Sequence, residues 1–242
     1  MFSKRPAGPV RVGISQCLMG DAVRYDGSGA SSSCPHDELD GLFEYQTFCP
    51  EVGIGMSVPR EPIRLVGPLK DYRAVAVDDP CVDKTDELIQ FAHDQLAKID
   101  LLCGYIFMHH SPSCGLQAVK LYATHSAQAT REGTGVYANE IVRARPTLPV
   151  TDANQLFDEK MRENFVMRVF TYAHWQSLMG DLNATNLRSF HRQYASTLSA
   201  RDPQSCETAD RLLIDLSADL ISIANVYLGI LMAGLEKPAL SR

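Results

Sequence analysis

Short apolar runs alternate with amphipathic helical patterns through the first part of the sequence, from Val10 to about Pro149. VRVGIS (residues 10–15) and YIFM (105–108) have the length and composition of buried strands, whereas TDELIQFAHDQLAKI (85–99) repeats its apolar residues at helical spacing. This alternation is typical of α/β proteins, because a helix usually connects two parallel strands. We therefore predict a Rossmann-like α/β domain with a mostly parallel sheet.

Two segments of this region have weaker patterns. DELDGLFEYQ (37–46) predicts a helix that leads into a short strand at residues 47–48. EPIRLVG (61–67) predicts a strand or an extended edge.

The pattern changes after TLPVTDANQLFDEK (147–160), and the remaining patterns are helical. MRENFVMRVFTYAHWQSLMG (161–180) and NATNLRSFHRQYASTL (183–198) are followed by a long apolar segment that ends near Leu235. We predict two domains: residues 1–155 form the α/β domain, and residues 156–242 form a small all-α domain.

The most apolar segment, Leu220 to Leu235, is uncharged but is interrupted by Ser222, Asn225 and Gly229. It is short for a membrane span and predicts a buried amphipathic helix, so no membrane association is expected. The net charge of -6 argues against broad electrostatic binding to anionic membranes or nucleic acid. A local basic groove stays compatible with that charge.

The cysteine content indicates the redox environment. Seven cysteines are present, and the first residues, MFSKRPAGPV, lack the apolar stretch of a signal peptide. An odd number of cysteines without an export signal argues against a disulfide framework. We expect a cytoplasmic protein whose thiols stay reduced for chemistry or for metal binding.

Three of the cysteines follow predicted strands. Cys17 lies in SQCLMGDAVRYDG, Cys49 in FCPEVGIG and Cys114 in SPSCG. Loops of this composition expose a sulfur and surround it with backbone N–H groups. Because the loops at the carboxyl ends of parallel strands converge on one crevice, we expect these three thiols to meet in space.

Three converging thiolates are compatible with more than one metal. A structural zinc usually has four ligands, often in CxxC pairs, and the sequence has no such pair. An iron–sulfur cluster on three cysteines leaves one iron open to an exogenous atom such as sulfur. From spacing alone, the alternative that each cysteine is a small buried apolar residue stays open, and we prefer it for Cys34, Cys81, Cys103 and Cys206.

Three motifs, SQCLMGDAVRYDG, CPEVGIGMSVPREP and SPSCG, occur in this order, and GTGVYANEI follows them. Over about residues 9–155 they resemble the signature motifs of the bacterial thiouracil desulfidase family. The resemblance implies a 4Fe–4S cluster on Cys17, Cys49 and Cys114. It also implies a catalytic carboxylate at Glu51 and a catalytic serine at Ser111.

The helical remainder resembles, more loosely, a domain that is fused to this one in longer members of the family, through RVFTYAHWQSL and SFHRQYASTLSARDPQ. Two-domain members are implicated in removing sulfur from 4-thiouridine in tRNA, and short members act on free thiouracil bases. The resemblance therefore implies a desulfidase that replaces the thiocarbonyl sulfur of thiolated uracil by oxygen, with 4-thiouridine in tRNA as the favoured substrate. The alternatives are free thiouracil bases or nucleosides as substrates, or a non-catalytic metal-binding module.

The two implied catalytic residues also have structural interpretations. Glu51, two residues after Cys49, could act as a general base on water or protonate a ring nitrogen, or could serve as an N-cap-like partner for loop amides. Ser111 could hydrogen-bond the substrate carbonyl or the tetrahedral oxygen, or could form the turn before Pro112.

Arg24, Asp26 and Arg60 are candidates for substrate binding, although Arg24 and Asp26 could also pair with each other and shape the first loop.

His109 and His110 could touch the substrate, but a solvent-facing or hydrogen-bonded core position is the preferred interpretation. In the helical domain, a phosphate-facing surface with a stacking aromatic ring could form, but a solvated helix face is the preferred interpretation. The residues concerned are Arg162, Arg168, Arg188, His191, Arg192 and Tyr194.

Overall fold

The computed structural model describes residues 5–6, 8–124, 128–216 and 219–239. Its strands are β1 (Arg11–Ser15), β2 (Glu44–Phe48), β3 (Ile63–Val66), β4 (Arg73–Ala76), β5 (Gly104–Phe107), β6 (Val119–Tyr122), β7 (Ala129–Gly133) and β8 (Val150–Asp152). Its α-helices are α1 (Pro50–Gly53), α2 (Thr85–Ile99), α3 (Val136–Ala144), α4 (Glu159–Met179), α5 (Ala184–Ser199), α6 (Pro203–Leu212) and α7 (Leu220–Glu236).

Four parallel strands form the first sheet, in the order β2–β1–β5–β8. Val12 and Ile14 of the inner strand β1 and Ile106 of the inner strand β5 are fully buried. Parallel sheets are usually buried on both faces, and the nearly continuous apolar runs of these two strands meet that requirement. The strands predicted near residues 10–15 and 105–108 are confirmed.

One hydroxyl joins the carboxyl ends of the two inner strands. Ser15 ends β1, and its buried Oγ accepts a hydrogen bond from the backbone N–H of Met108, just after β5, at 2.9 Å. The loops that follow β1 and β5 therefore start side by side, and these loops carry Cys17 and Cys114.

A second four-stranded sheet has the order β4–β3–β6–β7, with β3 parallel to β6 and the outer strands antiparallel to their neighbours. Leu65 and Leu121 pack in its core with Leu88 of α2. The strand predicted within residues 61–67 is confirmed as β3. The sequence pattern does not predict β7, because four of its five residues, ATREG, are exposed and it lacks the alternation of a half-buried strand.

The helix predicted over residues 37–46 is wrong. His36–Glu38 forms a single 3-10 turn, and Gly41 has a φ of 65°, a left-handed conformation that interrupts a right-handed helix and that glycine adopts without strain. Strand β2 then begins at Glu44, three residues before the predicted short strand.

The described residues divide into two compact units, Pro9–Met161 and Arg162–Arg242 with Met1–Gly8. The second unit is built from α4 to α7 around an apolar core that contains Trp175, Tyr194 and Tyr227. The predicted fold class, an α/β part with a mostly parallel sheet followed by a helical part, is confirmed.

The apolar segment that ends near Leu235 forms α7, which buries Ala224, Tyr227, Leu231 and Leu235 in the helical core. Within the part of the chain that the structure describes, no helix combines the length and the apolar character that a membrane span needs.

Candidate active site

A cavity of about 350 Å³ lies at the carboxyl end of the first sheet. The loops after β1, β2 and β5 line it, as expected at the carboxyl edge of a parallel sheet. The cavity is lined by all three cysteines of the sequence motifs, Cys17, Cys49 and Cys114, so the structure brings these distant residues together.

Each of the three cysteines lies in the loop that follows a strand, Cys17 and Cys49 close to the end of their strands and Cys114 further along its loop. Cys17 lies in the 3-10 helix Gln16–Met19, directly after β1. Cys49 directly follows β2 and is the residue before α1. Cys114 lies in the loop after β5 and is buried.

The turn that holds Cys114 packs against the start of α3. The backbone N–H of Val136 donates to the carbonyl of Pro112 at 3.0 Å. A Cβ atom at Gly135 would lie 2.5 Å from the carbonyl carbon of Ser113 and 2.7 Å from the nitrogen of Cys114. A glycine is therefore required there, which explains the GTGV segment in physical terms.

The three thiols influence each other electrostatically. Burial and, to a smaller extent, the neighbouring Cys49 raise the pKa of Cys17 to about 11. Burial also raises the pKa of Cys49, and it raises that of Cys114 strongly, with Cys49 and Cys17 adding to the effect on Cys114. The thiols are thus protonated at neutral pH, and a bound cationic group would be needed to stabilise all three as thiolates in one cavity.

This donor set suits soft metals, because thiolates prefer iron–sulfur clusters, zinc and copper(I). Among the described residues, no group of three or more His, Cys, Asp or Glu side chains has the geometry of a site for a single metal ion. A cluster binds each cysteine through a different iron, so its ligands do not have to lie as close together as the ligands of one ion.

Glu51, in the first turn of α1, lines the same cavity with a side chain that is 13% exposed. Its Oε2 accepts a hydrogen bond from Nε of Arg60 at 2.8 Å, and its Oε1 accepts one from Oγ of Ser113 at 2.6 Å. The carboxylate therefore bonds side chains, and not the loop amides that an N-cap role would require.

The guanidinium group of Arg60 donates hydrogen bonds to other groups of the protein. Besides Glu51, it bonds the carbonyl of Val23 through Nη2 at 2.9 Å and the carbonyl of Ser57 through Nη1 at 3.2 Å. Its side chain is only 5% exposed. In this arrangement Arg60 orders the cavity wall.

Ser111 sits at the start of the Cys114 turn. Its Oγ accepts the backbone N–H of Cys114 at 3.1 Å and that of Ser113 at 3.3 Å, and it lies 3.0 Å from Oγ of Ser113. The hydroxyl thus shapes the turn that presents Cys114, as the structural interpretation of the sequence expects. The sequence analysis predicts no role for Ser113. Its position directly before Cys114 in the SPSCG motif is the sequence feature that could have identified it.

Arg24 and Asp26 meet through Ser28. Nη1 of Arg24 and Oδ1 of Asp26 both bond the Ser28 hydroxyl, at 3.2 and 2.6 Å, and hydrogen bonds from Ser28 lower the pKa of the exposed Asp26. Arg24 lines the cavity, and its charge favours the thiolate of Cys17, which opposes the effect of burial. Its guanidinium also lies 5.8 Å from the ring centroid of Tyr25.

His109 and His110 also line the cavity. Nδ1 of His109 is buried and has no hydrogen-bond partner among the described residues, and burial lowers the pKa of this histidine. The expectation of a hydrogen-bonded core histidine is wrong for this nitrogen. His110 is exposed and has a φ of 57°.

Neither the phosphate-facing surface nor the preferred solvated helix face holds for all six of these residues of the helical unit, because three of them are buried. Arg168 bonds Asn164, His191 bonds Asp210 and Tyr227, and Tyr194 bonds His174. Arg188 and Arg192 are exposed and line a separate cavity of about 340 Å³ together with His191 and Asp210.

The fold and the cavity define an α/β protein that presents three thiols and a carboxylate at the carboxyl end of a parallel sheet. The sequence model of the 2-thiouracil desulfurase family matches residues 12–153. The chain therefore belongs to the 2-thiouracil desulfurase family, which confirms the resemblance identified from the motifs.

A solved structure is also similar to this chain. It is described as the [4Fe-4S]-dependent thiouracil desulfidase TudS, is 26% identical, and matches with a TM-score of 0.50. The match covers 62% of this chain and 94% of that chain. A search of curated proteins found no match.

Proposed function

We propose that this protein is an iron–sulfur-dependent desulfidase that replaces the thiocarbonyl sulfur of thiolated uracil by oxygen, with Cys17, Cys49 and Cys114 as the ligands of a 4Fe–4S cluster. The observation that carries the proposal is the convergence of these three thiols in one cavity beside Glu51. Membership of the 2-thiouracil desulfurase family and the similarity to the TudS structure support it.

The residues fit such a cluster. Three thiols from three different loops line one cavity. Burial raises the pKa values of all three, and neighbouring thiols add to the effect on Cys17 and Cys114, so a cationic group would stabilise their thiolate forms. When bound on three cysteines, the cluster would supply an open iron that acts as a Lewis acid towards the departing sulfur.

Glu51 is the candidate general base. The reaction adds one water to the C=S carbon and releases the sulfur as sulfide, and the water must lose its protons as the C=O bond forms. Each Glu51 oxygen accepts one protein hydrogen bond, which leaves lone pairs for a water. Ser111 is the second candidate catalytic residue, because it lines the same cavity and its hydroxyl is next to that of Ser113.

We propose that Arg24 contacts the substrate directly, since it lines the cavity and carries a positive charge. Asp26 and Arg60, the other two candidates, would support binding by holding loops: Asp26 orders the loop of Arg24 through Ser28, and Arg60 holds the loop carbonyl of Val23.

The favoured substrate is 4-thiouridine in tRNA. A cavity of about 350 Å³ has the size of a small-ligand site and accommodates a pyrimidine, and a base within folded RNA would have to leave its stack to enter it. Residues 156–242 would then serve as a substrate-binding or accessory domain, and residues 1–155 as the catalytic one. We propose a cytoplasmic location, where thiols stay reduced.

The test combines metal analysis with substrate comparison. Anaerobically reconstituted protein is assayed for iron, acid-labile sulfide and sulfur release from 4-thiouridine-containing tRNA, the nucleoside and free thiouracil. Release from tRNA supports the favoured substrate, and release only from the free base or nucleoside assigns the alternative. Bound zinc with little iron and no labile sulfide would indicate a non-catalytic metal-binding module.

Cysteine variants test the ligand set. Cys17→Ser, Cys49→Ser and Cys114→Ser should each lose the brown chromophore, because each change removes one of the cluster thiolates. Cys206→Ser is the control, since Cys206 is packed in the helical core. Full retention of the chromophore in any of the three would contradict the proposed ligands.

A further inference from the structure

The Glu51 carboxylate bonds a side chain from the loop of another cysteine. Ser113, directly before Cys114, donates its hydroxyl hydrogen to Oε1 of Glu51 at 2.6 Å. Ser113 is 1% exposed, so water does not compete for this bond. Glu51 itself lies two residues after Cys49, and this hydrogen bond therefore joins two of the three cysteine loops.

The other carboxylate oxygen joins the third cysteine loop. Oε2 of Glu51 accepts from Nε of Arg60, and Nη2 of Arg60 bonds the carbonyl of Val23, in the loop that follows Cys17. Backbone bonding supports this connection, because the N–H of Arg60 donates to the carbonyl of Tyr25 in the same loop at 2.8 Å.

The hydroxyl directions follow from the surrounding groups. Ser113 has one hydroxyl hydrogen, and the carboxylate paired with Arg60 can only accept, so that hydrogen is directed to Glu51. Ser111 already accepts two backbone N–H groups, and its own hydrogen is therefore directed to Oγ of Ser113, 3.0 Å away. The hydrogen bonds run from Ser111 to Ser113 to Glu51.

We propose that Ser113 is a positioning residue for the reaction: it fixes the Glu51 carboxylate opposite Arg60, and it connects Ser111 to that carboxylate. The inference rests on the proposed function, in which Glu51 takes a proton from water. Without Ser113, Glu51 is held through one oxygen and can rotate away from the orientation that a reacting water needs.

The variant Ser113→Ala tests this role. We expect kcat to fall by about tenfold to a hundredfold, because small misplacements of a catalytic group have effects of that order. KM should change by less than about twofold, since the Ser113 hydroxyl is directed to Glu51 and not to the substrate. Iron and sulfide content should match the wild type, and Ser113→Thr should recover most of kcat.

Thr134→Val is the matched control. It removes one hydroxyl of the same unit, which bonds the carbonyl of Leu116 at 3.2 Å and lies outside the Glu51 network. Both kinetic constants should stay at wild-type values. Wild-type kcat in Ser113→Ala, or an increase in KM alone, would overturn the proposed role.

A double-mutant cycle on cluster-free protein separates this inference from the proposed function. The destabilisation caused by Ser113→Ala, measured as the shift in the denaturation midpoint, should shrink by more than half in a Glu51→Ala background. If Glu51→Ala does not fold, Glu51→Leu replaces it, because leucine also lacks an acceptor for the Ser113 hydroxyl. Equal shifts in both backgrounds overturn the positioning role, whereas absence of sulfur release by loaded wild-type protein refutes only the desulfidase proposal.

Discussion

Replacing Glu51 by alanine removes the shared acceptor of two poorly exposed donors, Arg60 and Ser113. The Arg60 side chain is 5% exposed and that of Glu51 is 13% exposed. Breaking a buried ion pair by removing one partner typically costs about 3–5 kcal/mol. Arg60 keeps the carbonyls of Val23 and Ser57 as acceptors, so we expect the free energy of unfolding to fall by about 2–3 kcal/mol.

The assay has to observe the α/β unit separately. The single tryptophan, Trp175, lies in the helical core, so its fluorescence reports on the helical unit. Tyr105 and Tyr137 are buried against each other in the α/β unit, and near-UV circular dichroism of tyrosine follows their environment. Tyr194 and Tyr227 of the helical core contribute to the same signal, so the part of its change that Trp175 fluorescence does not follow reports on the α/β unit. Denaturant titration of cluster-free protein should move the tyrosine transition of Glu51→Ala to lower denaturant.

The cluster content and the rate of sulfur release are measured on the same variant, Glu51→Ala. Since Glu51 is not a cysteine ligand, Glu51→Ala should keep iron and sulfide after anaerobic reconstitution, and it should lose sulfur release. A wild-type rate in this variant would refute the role of Glu51 as acid or base. An unfolding free energy within about 0.5 kcal/mol of the wild type would show that the pair with Arg60 does not hold the loops, since changes of that size are usual at sites without such features.

Two other predictions concern pH and the helical unit. Because burial raises the pKa of Cys17 from its ordinary value near 9 to about 11, the folded state favours the protonated thiol, and cluster-free protein should lose stability as the pH rises from 9 to about 11. Denaturant titrations on both sides of this window check it, and Cys17→Ser should reduce the loss; an unchanged pH dependence in that variant would contradict the assignment. Asn183 caps α5 by accepting the N–H of Asn186 at 2.9 Å, so Asn183→Ala should lower the stability of the helical unit by about 1 kcal/mol. Trp175 fluorescence measures this change, Asn183→Ser is the control that keeps a capping oxygen, and an equal loss in both variants would rule out the cap as the cause.

The structure explains where sequence patterns failed. Residues 37–46 have apolar spacing that suggests a helix, but the left-handed turn at Gly41 and the pairing of β2 with β1 decide the outcome. The second sheet depends on pairings between distant segments, and its strand β7 is mostly exposed. Arg168, His191 and Tyr194 have the composition of a polar surface, yet packing of the helices buries them.

Local sequence patterns suffice to predict the buried strands, the helix over residues 85–99 and the positions of the three cysteines in loops after strand ends. These features are local, because they depend on side-chain periodicity and on glycine and proline in the following loops. Membership of the family was also readable from three ordered motifs, SQCLMGDAVRYDG, CPEVGIGMSVPREP and SPSCG.

Which side chains meet around Glu51 depends on the packing of segments that are distant in the sequence. Ser113 and Glu51 are 62 residues apart in the chain, and Arg60 reaches the carbonyl of Val23 across 37 residues. Contacts of this kind arise when the ends of different strands are brought to one edge of a sheet, and no periodicity in the sequence encodes the rotamers that then form hydrogen bonds.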